Sequence, residues 1–339
     1  MSIILVEGFD TYTALADAAL GGWNGSPTGN VSVVTGRFAG KATRIGNFNS
    51  VPYSRGLAAT AINNLSAGFA FRTDNLASRS ATGNLLFGLY NGSTLVCGVY
   101  LTSAGQLRFG RTDSSGNNIV SSASALISIN TWYYIEFELV RASGSGGSVT
   151  VYLDGTSVAT LGSTNTGASA IDGIGLVGAV GNTDFDDLYV TNAAARLGTG
   201  PLWIETIYPT GDTAEKDFSR SAGSDNYAMV DEAQSDGDST YTSSSTPGAY
   251  DLFDFGNLSS IPSVIYAVVP TFAARKDDAT VRTMRTKHKS GATTTDGTSR
   301  GIAASYQFFT QIYETNPATL GAYTNSDVSN LQVGYELVS

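Results

Sequence analysis

The chain has one cysteine and one histidine in 339 residues. Cys97, in TLVCGVYL, can form neither an internal disulfide nor a zinc cluster alone, and reads as a buried thiol. His288 sits in TKHKSG with basic neighbours, and no G-x-S-x-G elbow accompanies it. It therefore reads as an exposed or polar-network histidine rather than a triad base. Charged residues make up only 14% of the chain, and their balance is −10. An acidic chain argues against nucleic-acid partners and anionic membrane surfaces. Long apolar runs are missing as well. The longest, IPSVIYAVVPTFAA, is short and broken by Pro262 and Pro270, which rules out membrane insertion through it. The start, MSIILVEGFD, lacks the basic n-region of a standard export signal.

Glycine is abundant, at 39 residues, and Ser, Thr and Asn separate short apolar runs. The 42% apolar content is too high for disorder, so the mixture implies an all-β protein rich in turns. Strand-length segments recur: GFAFR (68–72), NLLFGLY (84–90), LVCGVYL (95–101), QLRFGR (106–111) and WYYIEFELV (132–140). In SVTVYLDGTSVATL, Asp154-Gly155 predicts a tight hairpin turn with positive φ at both residues. TALADAAL (13–20) is at most a short helical turn. The small, Gly- and Pro-bearing stretch AARLGTGPLW (194–203) reads as a boundary. The expected architecture is all-β: two β-sandwich (jelly-roll) domains in series, residues 1–197 and 198–339.

Residues 1–192 resemble the concanavalin A-like (laminin-G-like) jelly-roll family. The resemblance lies in ILVEGFD, the W-Y-x-I-E strand at Trp132–Glu136, the hairpin VTVYLDGTSVA and the closing strand DFDDLYV. Residues 204–339 resemble a second jelly-roll-like module of tailed-bacteriophage structural proteins. That likeness is carried by DEAQSDGDSTY (231–241), AARKDDATVRT (273–283) and ETNPATLGAYTNSDVSNLQVGYEL (314–337).

Two resemblances bear on sites. Laminarinase-like enzymes of this fold carry acids at alternate positions of one strand, E-x-D-x-E. Here that face reads Tyr134, Glu136, Glu138, Val140, so the third acid is absent and the middle one is Glu. Retaining hydrolysis needs a proton donor beside its nucleophile, so no catalytic residue is assigned. The glutamates read as the polar face of a half-buried strand. The family also implies a calcium ion where the first and last strands meet. Glu7, Asp10, Asp186 and Asp187 would supply its oxygen ligands. Strict alternation puts Asp184 and Asp186 with Leu188 and Val190, and Asp187 with Phe185 and Tyr189. Trp23, Trp132, Tyr90 and Tyr100 are available as sugar platforms, although such rings usually fill cores.

Charge is unevenly spread. Residues 1–200 hold 10 Lys+Arg against 12 Asp+Glu, and residues 201–339 hold 9 against 17. No cation lies between Arg220 and Arg275, whereas seven acids do. Then Arg275, Lys276, Arg282, Arg285, Lys287 and Lys289 follow within fifteen positions. That cluster is the candidate assembly contact, facing an acidic surface of a neighbouring copy. The expectation is a non-enzymatic virion structural protein of a tailed phage or phage-like particle: tail, fibre or head decoration. Its partners would be other virion proteins, copies of itself and a host surface glycan, and its place the virion, assembled in host cytoplasm. A secreted lectin or adhesin is the alternative, followed by a laminarinase-like glycoside hydrolase.

Overall fold

Along the strands of the amino-terminal half, Phe69, Phe71, Phe137 and Phe185 recur on one face, which gives each strand an apolar side to bury. A computed structural model describes residues 1–12, 21–24, 30–46, 52–57, 62–111, 118–122 and 124–339. The turn expected at 13–20 lies outside the described residues. The chain divides into two units, Met1–Ile204 and Glu205–Ser339. Among the described residues it is all-β apart from a single 3-10 turn and one short helix, and no helix is long and apolar enough to cross a membrane.

The first unit is a two-sheet sandwich. Sheet I is antiparallel, in the order Thr156–Thr164, Gly147–Leu153, Tyr133–Val140, Leu65–Thr73, Thr183–Thr191, Lys41–Ile45, Val31–Thr35, and Ile3–Glu7 also pairs with 183–191. Sheet II runs Asn118–Ser121, Leu107–Arg111, Thr94–Leu101, Asn84–Asn91, Gly173–Leu176, Tyr53–Gly56, Trp23–Asn24. Rings knit the two sheets: Phe69 stacks on Phe87 at 4.9 Å, and Phe137 packs on Phe87 and Phe109 at 5.8 and 5.4 Å. Truncating one such ring costs about 3–5 kcal/mol. Asp154 and Gly155 have φ of 48° and 85°, as the hairpin turn requires.

One strand departs from strict alternation. In Thr183–Thr191, Asp186 faces Ala70 but Tyr189 faces Gly68, so one extra residue is inserted at Asp186–Asp187. Asp187 takes φ of 50° to accommodate it. Phe185 points into the core against Phe69, whereas Tyr189 lies on the opposite, outer face beside Ala70 and Tyr134. The expected sharing of a face by Phe185 and Tyr189 is therefore corrected: the bulge swaps the sides beyond it. It also swaps the neighbour, since 183–185 pair with 43–45 while 188–191 pair with the first strand.

The boundary falls seven residues after the one expected. Residues 193–204 lie back on the outer face of sheet I, where Leu197 and Leu202 pack on Ala70, Tyr134 and Tyr189, and Ile204 N donates to Asp187 Oδ1 at 2.7 Å.

In the second unit, sheet III runs Pro209–Lys216, Tyr250–Phe255, Gln332–Leu337, Thr283–Ser290, Thr293–Asp296, and Arg300–Gly301 also pairs with 283–290. A ribbon of Thr271–Ala274 and Gln307–Thr310 supplies the facing layer. Phe272 stacks on Phe309 at 4.9 Å and meets Tyr335 of the sheet at 5.3 Å, so these rings join the layers. The helix Asn325–Ser329 starts with a reciprocal cap between Thr324 and Asp327.

Candidate functional site

Glu136 and Glu138 do project from the outer face of sheet I, but only Glu138 keeps some contact with water. Glu136 is 0% exposed. Tyr189 Oη donates to Glu136 Oε1 at 2.8 Å, and Arg196 Nη1 donates to Oε2 at 3.1 Å. Glu138 Oε1 accepts from Arg196 N at 3.1 Å, and Oε2 accepts from Tyr152 Oη at 2.7 Å. All four oxygens are spent on fixed donors. The strap 193–204 delivers Arg196, whose guanidinium sits 3.5 Å from the centroid of Tyr152. Burial raises the Glu136 carboxyl above its usual range, while Tyr189 and Arg196 oppose the shift. The expectation of a half-buried polar face is corrected for Glu136: the strap closes it. Gly68 permits the arrangement, because a Cβ there would lie 2.4 Å from the Tyr189 ring and 2.9 Å from Tyr134 Oη.

The bulge brings Asp186 and Asp187 to the seam between strands, with Asp10 near enough to raise the pKa of both. Glu7 does not join them. Its carboxylate binds Arg55 Nη1 at 2.6 Å, Tyr12 Oη at 2.8 Å and Trp23 Nε1 at 3.0 Å, in the core. The calcium ligand set is corrected accordingly, because alternation on the first strand turns Glu7 inward. The remaining acids are directed at N–H groups. Asp186 accepts from Arg37 N and Asp187 N, both at 2.8 Å, and Asp10 Oδ1 accepts from Lys41 N at 2.8 Å. Asp187 Oδ2 faces Arg37 Nη1 at 3.4 Å. Burial first, and then each other's charge or that of Asp10, hold both carboxyls of the bulge above the usual range. Among the described residues no three acids are arranged to hold a metal ion, so this donor set does not fit calcium. Arg37 supplies the positive charge.

Five of the six clustered cations find their acids within the second unit. Arg275 pairs with Asp238 at 2.9 Å and Arg282 with Asp278 at 3.0 Å. On the outer face of sheet III, Arg285 and Lys287 each reach both Glu336 and Asp296, while Lys289 reaches Glu215 at 2.6 Å. Lys276 Nζ donates to Thr280 O. Only Asp238 comes from the acid-only stretch. The expected separation of charge along the sequence is thus not a separation in space, because strand pairing brings Glu336 and Asp296 beside the cations. His288 points the other way, into the unit, and is 0% exposed. Its ring lies edge-on to Tyr313 at 4.5 Å, with Tyr323 Oη 3.3 Å from Nε2. Burial lowers it to about 4, so of the two expectations, exposed or in a polar network, the structure shows a buried, neutral ring paired with the Tyr323 hydroxyl.

Sheet II carries a feature that reading strands singly does not reveal. Gly110, Gly98, Gly88 and Gly175 stand in register on four adjacent strands, a backbone-only row across its outer face. A Cβ on Gly88 or Gly175 would lie 2.6 or 2.8 Å from Cε2 of Tyr90, so the Tyr90 ring lies over both glycines. Leu85 covers Gly98 in the same way. In the next row Arg108 faces Tyr100. Arg108 Nη1 donates to Thr82 O at 3.2 Å, while its Nε is buried without a partner. Burial, then Tyr100, push the Tyr90 hydroxyl up to about 12, so it stays protonated and able to donate. Trp23 instead lies in the core, 1% exposed and stacked on Tyr53, and Trp132 packs with the strap under Arg72. The available signal was the glycine in the middle of each of NLLFGLY, LVCGVYL, QLRFGR and IDGIGLV.

No family model and no curated protein sequence matches the chain. Solved structures similar to it include the endo-β-1,4-glucuronan lyase of the fungus Trichoderma reesei, at 14% identity and a TM-score of 0.40, covering 56% of this chain and 95% of that one. Another is the binding domain of Paraclostridial Mosquitocidal Protein 1, at 15% and 0.41, covering 57% and 49%. A third is domain 4 of an extracellular arabinanase from Geobacillus stearothermophilus, in complex with arabinotriose, at 17% and 0.40, covering 57% and 94%. Likeness at this level carries no argument about activity.

Proposed function

We propose that the chain is a non-enzymatic structural protein that contacts glycans through the outer face of sheet II. The observation that carries this reading is the glycine row. Bare backbone leaves room for the buried Tyr90 ring over Gly88 and Gly175, and the half-buried Tyr100, two residues from Gly98, is the ring whose face suits the apolar side of a sugar. Arg108, half-buried beside Tyr100, adds a charged group of the sort that fixes a ligand's orientation. The non-enzymatic part is supported by the four spent oxygens of Glu136 and Glu138. The reading includes a role in a tailed-phage or phage-like particle, as tail, fibre or head decoration. That part rests on the sequence resemblance of residues 204–339.

Binding of the full chain to an array of plant, algal and bacterial-envelope glycans tests the proposal. Tyr100→Ala and Arg108→Ala are each expected to weaken the best ligand about tenfold, which corresponds to about 1.4 kcal/mol. Binding that survives both changes, or depolymerisation of the bound glycan, would overturn it. Mass spectrometry of purified particles checks the particle role, and a protein found only free and secreted would favour a lectin.

A further inference from the structure

Arg141 follows directly on the strand Tyr133–Val140, and the alternation that buries Ile135, Phe137 and Leu139 carries its side chain inward too. Only 8% of the residue is exposed. Nη1 donates to the Cys97 sulfur at 3.6 Å, but Nε and Nη2 are buried with no partner. Those two nitrogens are not an arbitrary pair. Their N–H bonds run parallel along one edge of the guanidinium, the edge that grips two oxygens of a carboxylate or other oxyanion side-on. A charged group left with such an edge unmet in the interior is costly, so native folds seldom leave one without a ligand.

A second guanidinium stands beside it. Arg111 lies opposite Cys97 in sheet II and donates from Nη1 to Asn165 O at 2.9 Å. A Cβ on Gly167 would lie 2.9 Å from Arg141 Nη2 and 3.7 Å from Arg111 Nε. Both guanidinium groups therefore converge on the one point of the 165–168 turn that carries no side chain, and Gly167 holds φ of 83° there. Burial, chiefly, and the like charge of Arg111 lower Arg141, and only the Cys97 thiol opposes them. Burial pushes that thiol up to about 12, so at neutral pH it is uncharged and balances nothing.

We propose that Arg141, with Arg111 alongside, forms an anion site at this end of the first sandwich, taking one oxyanion side-on along the free Nε–Nη2 edge beneath the Gly167 turn. The shared chemistry is a pair of oxygens on one negatively charged centre. A carboxylate, such as that of an acidic sugar, and inorganic sulfate or phosphate both offer it. Thr166 fixes the turn from below, accepting from Ala142 N at 2.9 Å and donating to Val140 O at 2.8 Å. Gly167 itself is half-exposed, so access needs only a small lift of that turn.

Thermal melts of the full chain, followed by tryptophan fluorescence, test the site. Sodium acetate, glucuronate, sulfate and phosphate are compared with sodium chloride at equal ionic strength. At a tenfold excess over Kd, the matching oxyanion is expected to raise the melting temperature by about 4 °C. A response to acetate and glucuronate alone assigns the carboxylate source, and one to sulfate or phosphate alone assigns the inorganic source. Arg141→Met should abolish the response. A crystal grown with selenate provides a readout that needs no variant. Anomalous density along the Nε–Nη2 edge supports the site. A water on that edge, unchanged by selenate, or equal melts in every salt, would overturn it.

Discussion

The two units manage charge in opposite ways. In the first, two acids on the outer face of sheet I have fixed donors, Glu136 with Tyr189 and Arg196 and Glu138 with Tyr152 and the Arg196 backbone, and a strap seals Glu136 from water. In the second, two cations share two acids on one face of sheet III, with Glu336 only 8% exposed, so each charge has a spare partner. The sealed arrangement gives strong local interaction but no tolerance. The shared one gives redundancy, because either cation can hold both acids when the other is removed.

Arg196→Ala should expose that difference most. It leaves Glu136 fully buried with one donor fewer, and the expected loss is about 3 kcal/mol at pH 7. Trp23, Trp132 and Trp203 all lie in the first unit, so tryptophan fluorescence during urea unfolding reports this unit selectively. The loss should shrink as pH falls, because a protonated Glu136 no longer needs its cation. A cost below about 1 kcal/mol would mean that the strap does not seal the face.

The second unit should show its own sensitivity through His288. Its folded value, about 4, lies below its ordinary 6.5, so the unfolded chain binds the proton more readily. Stability is then complete above pH 6.5 and lost as pH falls towards 4, by on the order of 3 kcal/mol. Hydrogen exchange along Thr283–Ser290 at stepped pH measures this directly. His288→Gln should flatten the curve, and an unchanged slope in that variant would assign the effect elsewhere.

Lys287→Ala should matter least. Arg285 still holds Glu336 and Asp296, so a cost below about 1 kcal/mol is expected at 0.1 M salt. A much larger value would mean that Arg285 does not substitute for Lys287 at Glu336, which is only 8% exposed.

Local signals in the sequence carried much of the fold. The strand Tyr133–Val140, the Asp154-Gly155 hairpin and the burial of Cys97 follow from alternation, turn chemistry and side-chain type. The bulge was hidden because a non-glycine residue, Asp187, takes the positive φ that a sequence reader assigns to glycine. That single insertion misplaces Tyr189, and with it the surroundings of Glu136. The fate of the charged residues was hidden for another reason. Their partners lie far along the chain, as with Arg285–Glu336 and Lys289–Glu215, and only sheet order brings them together. Likewise, no single strand discloses a glycine row, since the row exists only across four strands in register.

The strap also bears on how such a sandwich could be exchanged between proteins. A module whose last twelve residues cover Glu136 and its neighbours is transferable only with that tail attached. Cut at residue 192, where the final strand has ended, it would keep every strand and lose Arg196, Leu197 and Leu202 together. Recombination that respects secondary structure would thus produce a sandwich with an uncovered acidic patch. Recombination at residue 204 would deliver one that arrives already closed, ready to be joined to a different downstream module.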